Sequence, residues 1–153
     1  VFNTVEWLDH YAKRDWTLTH MDYELDNVLI DDDGPIVIDW QSPMISHPGV
    51  DLAWLLAASH TEETLAVEED FLKLYRDTLS SSGGPSWSLA ELEEALAWGI
   101  LYPVSCQAVP YLQDVSAYGE GAERMHQRFE KFLQGSIDAA VRWNLVDHLQ
   151  PLI

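Results

Sequence analysis

One stretch decides the fold of this chain: Leu18-Thr-His-Met-Asp-Tyr-Glu-Leu-Asp-Asn-Val-Leu-Ile30, followed by Ile36-Val-Ile-Asp-Trp40. In its first part, His20, Asp22 and Asn27 form the pattern H-x-D-x-x-x-x-N, and its second part ends an apolar run at Asp39. Short apolar runs flank the turn-forming residues Asp31-Asp-Asp-Gly34, which predicts a β-hairpin. That hairpin would return Asp39 to the side of Asn27.

The polar residues of this stretch are of the types that phosphoryl transfer uses. The reaction needs the phosphates positioned, their charge neutralised and the attacking hydroxyl aimed in line. Mg²⁺ prefers oxygen ligands, which the amide of Asn27 and the carboxylate of Asp39 could supply. Asp22 would lie near the acceptor hydroxyl and accept its proton. The alternative is a polar turn region in which His20 and Asp22 only cap and hydrogen-bond the backbone.

These motifs resemble those of the aminoglycoside phosphotransferase and choline kinase superfamily. The usual form in that superfamily is H-G-D-x-x-x-x-N, then I-D-W or I-D-F, then D-L-A. The chain has the corresponding segments His20-Met-Asp22, Asn27, Ile38-Asp-Trp-Gln41 and Asp51-Leu-Ala53. The resemblance covers residues 15–58, and the remainder matches only in being helical.

The resemblance assigns a role to each motif residue. It implies that Asp22 is the catalytic base and that His20 braces the catalytic loop. Asn27 and Asp39 would bind Mg²⁺ and, through it, ATP. Asp51 would begin a helix behind the loop and hold the loop by hydrogen bonds.

The resemblance also implies a fold and an activity. The fold would be α+β and mostly α, a protein-kinase-like C-terminal lobe with helices around a small β-hairpin that carries the catalytic loop. The activity would be ATP- and Mg²⁺-dependent transfer of phosphate to a hydroxyl of a small molecule, such as an aminoglycoside, choline or a similar acceptor. We expect residues 1–153 to form a single domain. Because the N-terminal nucleotide lobe is missing from these residues, we expect the isolated chain to be inactive.

Two positions depart from the usual motif. Met21 replaces a glycine, so the loop cannot freely take a positive φ there. Glu24 lies where related sequences often have a basic residue. These departures keep open a second hypothesis, a non-catalytic, pseudokinase-like binding or regulatory module. A third hypothesis is a metal-dependent hydrolase that uses the same carboxylates.

The composition limits the classes of molecule that the chain is expected to bind. With 26 acidic and 8 basic residues, the formal net charge is −18, which disfavours nucleic acid and anionic membrane surfaces. A cationic acceptor would be attracted, although the charge can equally serve solubility. The single cysteine, Cys106, excludes an intramolecular disulfide and is interpreted as a small core residue. No stretch of eighteen apolar residues and no secretory signal is present, so a cytoplasmic enzyme is expected.

The rest of the chain predicts helices. They are expected over residues 1–15, 51–59, 61–79, from Ser88 onward, and 122–144. Pro103 and Pro110 should kink or end the helix that begins after Ser88. Residues 40–49 are expected to be a loop with a solvated His47.

Two further surfaces are predicted. The buried face of the last long helix should be Met125, Phe129, Phe132, Leu133, Ile137, Ala140 and Val141; the solvated acidic face should be Glu62, Glu63, Glu68, Glu69, Asp70, Glu91, Glu93 and Glu94.

Overall fold

A computed structural model describes residues 12–13, 15–58, 61–112, 119 and 121–149, except the side chains of residues 107–112 and 149. The helix predicted over residues 1–15 therefore lies almost entirely outside the described residues. Five α-helices, one short 3₁₀ helix (Leu25–Asn27) and four short strands are present in the described ranges, which confirms the α+β, mostly α prediction.

The four strands form two antiparallel pairs that carry the motif residues. Strand β2 (Val28–Asp31) pairs with β3 (Gly34–Val37), with Val28 opposite Val37, which confirms the predicted hairpin. Strand β1 (Thr17–Thr19) pairs with β4 (Met44–Ser46). The prediction that residues 40–49 are all loop is therefore wrong. Strand β4 is a three-residue run between prolines, and it is formed by pairing with a strand 25 or more residues earlier.

The helices are α1 (Gly49–Ala58), α2 (Glu62–Ser81), α3 (Leu89–Leu112), α4 (Ala122–Arg142) and α5 (Leu145–Leu149). Helix α2 begins with a capping box in which Thr61 and Thr64 bond to each other's backbone N–H groups. Before α3, the Ser88 backbone N–H donates to Glu91 Oε2 at 2.7 Å, which forms the capping box that a serine followed three residues later by a glutamate predicts.

Helix α1 lies at the centre of the apolar core and contacts both α3 and α4. Glycines allow the backbones to approach closely: a Cβ on Gly99 of α3 would clash with the Gly49 carbonyl oxygen, and one on Gly135 of α4 with the Ala57 carbonyl oxygen. Such contacts leave no room for a side chain. The fully buried side chains of the core include Leu72, Leu92, Leu96 and Leu145. Cys106 packs against this core, as predicted.

Two predictions about the helices are wrong in part: neither Pro103 nor Pro110 ends its helix, and the buried face of α4 includes Phe132 but not Ile137 or Val141. Helix α3 continues through Pro103 and Pro110. Proline removes one backbone hydrogen bond, but Pro103 is fully buried, and this burial offsets part of the loss. In α4, Ile137 and Val141 are 47% and 72% exposed. The face of α4 that is buried consists of Phe132, Gly135, Ser136 and Ala139, because small residues let the helix lie close to α1.

Two polar residues predicted to be solvated are buried. His47 is 3% exposed, and its Nδ1 accepts a hydrogen bond from the Gly49 N–H at 3.1 Å, at the start of α1. Glu68 is 7% exposed and receives two hydrogen bonds from the Arg142 guanidinium, at 3.0 and 2.6 Å, and one from the Trp143 indole. An Arg fork can satisfy a buried carboxylate in this way. Glu68 therefore joins α2 to the end of α4.

Candidate active site

The loop that carries the motif is held from behind by Asp51, in the first turn of α1. Its carboxylate accepts the His20 backbone N–H at 2.8 Å and the Met21 N–H at 2.9 Å. Hydrogen bonds to a charged acceptor are stronger than those between neutral groups, and a carboxylate is favoured in the first turn of a helix. The expectation that Asp51 holds the loop by hydrogen bonds is confirmed, but the helix begins two residues before Asp51, at Gly49.

His20 links the loop to the residue before Asp39. Its ring is 2% exposed, and Nε2 lies 2.8 Å from the Ile38 carbonyl oxygen. A carbonyl oxygen can only accept, so Nε2 carries the hydrogen. The ring also meets Trp40 edge to face, with centroids 4.7 Å apart. His20 therefore braces the loop against the end of the hairpin, as the resemblance implied.

Met21 has the left-handed backbone that the usual glycine would take freely. Its φ is 71°, a conformation that costs a residue with a Cβ roughly 1–2 kcal/mol. The side chain is 4% exposed, and the Thr19 hydroxyl lies 3.0 Å from its sulfur. Burial of an apolar side chain is worth a similar amount. Met21 therefore keeps the left-handed loop conformation. The free-energy cost of that backbone is offset by burial of the Met21 side chain.

Asp22 and Asn27 are brought together by a single turn. The Asn27 side-chain amide donates to the Asp22 carbonyl oxygen at 2.8 Å and lies 3.5 Å from Asp22 Oδ2. Backbone bonds close the same turn, from Glu24 N–H to the Asp22 carbonyl and from Asn27 N–H to the Glu24 carbonyl. Because the amide nitrogen makes the contacts with Asp22, the amide oxygen is the atom of Asn27 that could face a cation.

Asp39 follows directly on the hairpin. The Ile38 N–H donates to the Asn27 carbonyl at 2.9 Å, so the β2–β3 pairing extends to the residue next to Asp39. Asp39 itself has φ 63° and an exposed side chain, whose Oδ2 lies 3.5 Å from Gln41 Nε2. The left-handed backbone turns the chain out of the strand at this point. Asp39 therefore comes one residue after Ile38, whose backbone is hydrogen-bonded to that of Asn27.

The donor set of Asn27 and Asp39 fits Mg²⁺. Both offer oxygen, and Mg²⁺ in phosphate-transferring sites is held by one or two protein ligands, with the remaining positions filled by phosphate and water. Within the described residues, no group of three or more His, Cys, Asp or Glu side chains could hold a metal ion by itself.

The charge of Glu24 is balanced by a residue that the sequence did not indicate. Arg128 of α4 lies 2.7 Å from Glu24 Oε1, across 104 residues of sequence. The Glu24 side chain is 14% exposed. Burial raises its pKa, as do Asp22 and Asp26, while Arg128 opposes them. Glu24, at a position where related sequences often have a basic residue, is therefore paired with Arg128. This ion pair joins the loop to α4.

Comparison with known proteins agrees with the geometry. The family model described as the phosphotransferase enzyme family matches residues 3–89, which include every motif residue discussed above. No curated protein and no solved structure matches the chain. In the part of the chain that the structure describes, no helix is both long and apolar enough to cross a membrane.

Proposed function

The chain belongs to the phosphotransferase enzyme family, and from this membership we propose that it supplies the catalytic groups for ATP- and Mg²⁺-dependent phosphate transfer to a hydroxyl of a small molecule. One observation carries the proposal. Asp22 and Asn27 are in contact within a single turn, and the backbone bond from the Ile38 N–H to the Asn27 carbonyl puts the residue before Asp39 beside Asn27.

Asp22 is the proposed base. Its backbone carbonyl accepts bonds from Asn27 and Glu24, and Asp51 holds the two residues before it. A base held in this way can orient the acceptor hydroxyl and take its proton as the bond to phosphorus forms. His20 acts on the same step indirectly, because it holds the loop against the hairpin.

Asn27 and Asp39 are the proposed magnesium ligands. When bound, Mg²⁺ would neutralise charge on the nucleotide phosphates. Enzymes of this type also use a phosphate-covering loop and a strand lysine, for which the resemblance offers no counterpart among these 153 residues. We therefore expect the isolated chain to bind nucleotide weakly and to turn over little.

The proposed acceptor is a small hydroxyl compound, and a cationic one would be attracted by the net charge of −18. One cavity of about 190 Å³ adjoins the loop on the side of Glu24 and could receive part of it. Its lining comprises Glu24, Asp26, Ala58, Arg128, Lys131 and Phe132. The two carboxylates of this lining are matched by two basic side chains, so the cavity itself carries no net formal charge.

The test uses the complete gene product that carries this sequence. Calorimetric titration should show MgATP binding that Asp39→Ala abolishes and that the control Asp32→Ala, in the exposed hairpin turn, leaves unchanged. Asp22→Asn should keep MgATP binding near normal while lowering phosphate transfer by about 10²–10⁴-fold.

Three outcomes would contradict the proposal. Transfer that persists in Asp22→Asn would show that Asp22 is not the base. Absence of nucleotide binding would favour the non-catalytic binding module. Metal binding without nucleotide binding would favour the metal-dependent hydrolase.

A further inference from the structure

The cavity between the catalytic loop and α4 has a charge balance unlike that of the whole chain. Acidic residues outnumber basic ones by 26 to 8 in the sequence, yet two of each line this cavity. Both basic residues, Arg128 and Lys131, come from α4, where a spacing of three residues places them on one face of the helix. Because salt largely screens charges more than about 10 Å away, a ligand in the cavity meets this local balance rather than the net charge.

Only part of the charge in the cavity is paired within the protein. Glu24 and Arg128 form an ion pair at 2.7 Å. Asp26 and Lys131 have exposed side chains, and within the described residues neither makes an ion pair or a side-chain hydrogen bond. The cavity thus offers a ligand one carboxylate and one ammonium group, which do not pair with each other.

The cavity adjoins the proposed base. The Glu24 N–H donates to the Asp22 carbonyl at 3.1 Å. Burial raises the pKa of the Glu24 carboxyl, and the charges of Asp22 and Asp26 raise it further, against the opposing charge of Arg128. The Asp22 carboxylate therefore lies within electrostatic range of a residue that lines the cavity. A ligand bound there would have one end close to the catalytic loop.

We propose that the acceptor is a small zwitterion, a hydroxyl compound that carries both an ammonium and a carboxylate group, as a hydroxylated amino acid does. Its ammonium would face Asp26 and its carboxylate would face Lys131. Its carbon chain would lie against Phe132, which also lines the cavity, and its hydroxyl would extend toward Asp22. The volume of about 190 Å³ is below the usual range for drug-sized ligands, which suits a molecule of this size.

A ligand with only one of these charges would be held less well. An amine without a carboxylate would be attracted by Asp26 and repelled by Lys131, and an acid without an amine would meet the reverse. A zwitterion is attracted by both groups. The role of its hydroxyl rests on the proposed function, whereas the selection for two opposite charges does not.

The test measures binding to the complete gene product without nucleotide, by ligand-detected NMR titration at low ionic strength. Four probes differ by the removal of one group. Homoserine has the hydroxyl, the ammonium and the carboxylate; 3-aminopropanol lacks the carboxylate, γ-hydroxybutyrate lacks the ammonium, and α-aminobutyrate lacks the hydroxyl. We expect homoserine to bind about fivefold more tightly than either singly charged probe, because charge pairs at exposed sites are weak. This factor corresponds to about 1 kcal/mol. Binding of α-aminobutyrate should stay within about threefold of homoserine.

A pair of variants assigns each charge to its residue. Lys131→Gln should abolish the preference for homoserine over 3-aminopropanol, because the carboxylate then has no cationic partner. Asp26→Asn should abolish the preference over γ-hydroxybutyrate for the converse reason. Both side chains are exposed, so both variants should fold. The matched controls are Lys73→Gln on α2 and Asp32→Asn in the hairpin turn, both exposed and outside this cavity, and they should leave the two preferences unchanged.

Two results would overturn the proposal. If homoserine binds no more tightly than one of the singly charged probes, the cavity does not select a zwitterion. If both preferences persist in Lys131→Gln and Asp26→Asn, the zwitterion binds elsewhere. Both results are read from binding without nucleotide. A failure of the proposed phosphotransferase activity would instead leave these preferences intact while no probe is phosphorylated, so the two failures are distinguishable.

Discussion

The helical body and the two strand pairs are held by different interactions. In the body, Leu92 and Leu96 are fully buried and helices meet backbone to backbone at glycines. In the strand region, Leu18, Ile30 and Ile45 are 58%, 76% and 64% exposed. That region contains the catalytic loop, which is held chiefly by hydrogen bonds from Asp51 and His20. The site residues thus depend on a few directed bonds, whereas the body depends on burial.

Helix α1 connects the two regions. Leu52 and Leu56 belong to the apolar core, while the neighbouring Asp51 bonds to the loop. The packing of one helix therefore sets the position of the carboxylate that orders the site. If this view is correct, substitutions in the body should lower global stability, and substitutions at the bonds should act mainly on the strands.

The largest expected effect is in the body. Leu96→Ala removes a fully buried side chain and should lower the free energy of unfolding by about 2–5 kcal/mol. The matched control is Leu74→Ala, at a leucine that is 65% exposed, which should change it by less than about 0.5 kcal/mol. Urea denaturation measures both. Equal effects would mean that burial of α3 side chains does not determine the stability of the body.

The second-largest expected effect tests the Asp51 hydrogen bonds that join the helical body to the strand region. Asp51→Asn keeps the shape but replaces one acceptor by a donor, so one of the His20 and Met21 N–H groups loses its partner. We expect a cost of about 2 kcal/mol, seen in hydrogen exchange as lost protection in residues 17–46 while α3 stays protected. Asp70→Asn, at a largely exposed side chain, is the control. A uniform loss of protection across both regions would contradict the view that the body and the strand region are held by different interactions.

A smaller effect concerns the loop backbone. Met21→Ala and Met21→Gly both remove the buried side chain, but only glycine relieves the left-handed backbone at φ 71°. Glycine usually destabilises relative to alanine, yet here Met21→Gly should be more stable than Met21→Ala by about 1 kcal/mol. Thermal unfolding of the two variants measures the difference. The opposite order would show that the loop is not strained.

The smallest expected effect is at the ion pair between the loop and α4. Arg128 is 62% exposed, so its coupling to Glu24 should be at most about 1 kcal/mol. A double-mutant cycle with Glu24→Gln and Arg128→Gln measures that coupling free energy. A coupling of several kcal/mol would instead make this pair a major tie between the regions.

Local patterns predicted the hairpin, the capping box of Ser88 and Glu91 and the helical character of the chain, because each is encoded within a few neighbouring residues. The Asp51 bonds were predicted from the family resemblance. Strand β4, the burial of His47 and the Glu68–Arg142 pair were missed, and so was the Glu24–Arg128 contact. Each depends on how segments far apart in sequence pack together, and no local period or spacing signals that.

The sequence by itself determined which residues could perform the chemistry, since the spacing of His20, Asp22 and Asn27 and the apolar run before Asp39 are short-range properties of the chain. Only the tertiary structure decided how those residues are supported: which helix supplies the counter-charge of Glu24 and which backbone carbonyl meets the His20 ring. The physical reason is that these features arise where separate helices and strands meet, and the free energy of such contacts depends on the packing of the whole core.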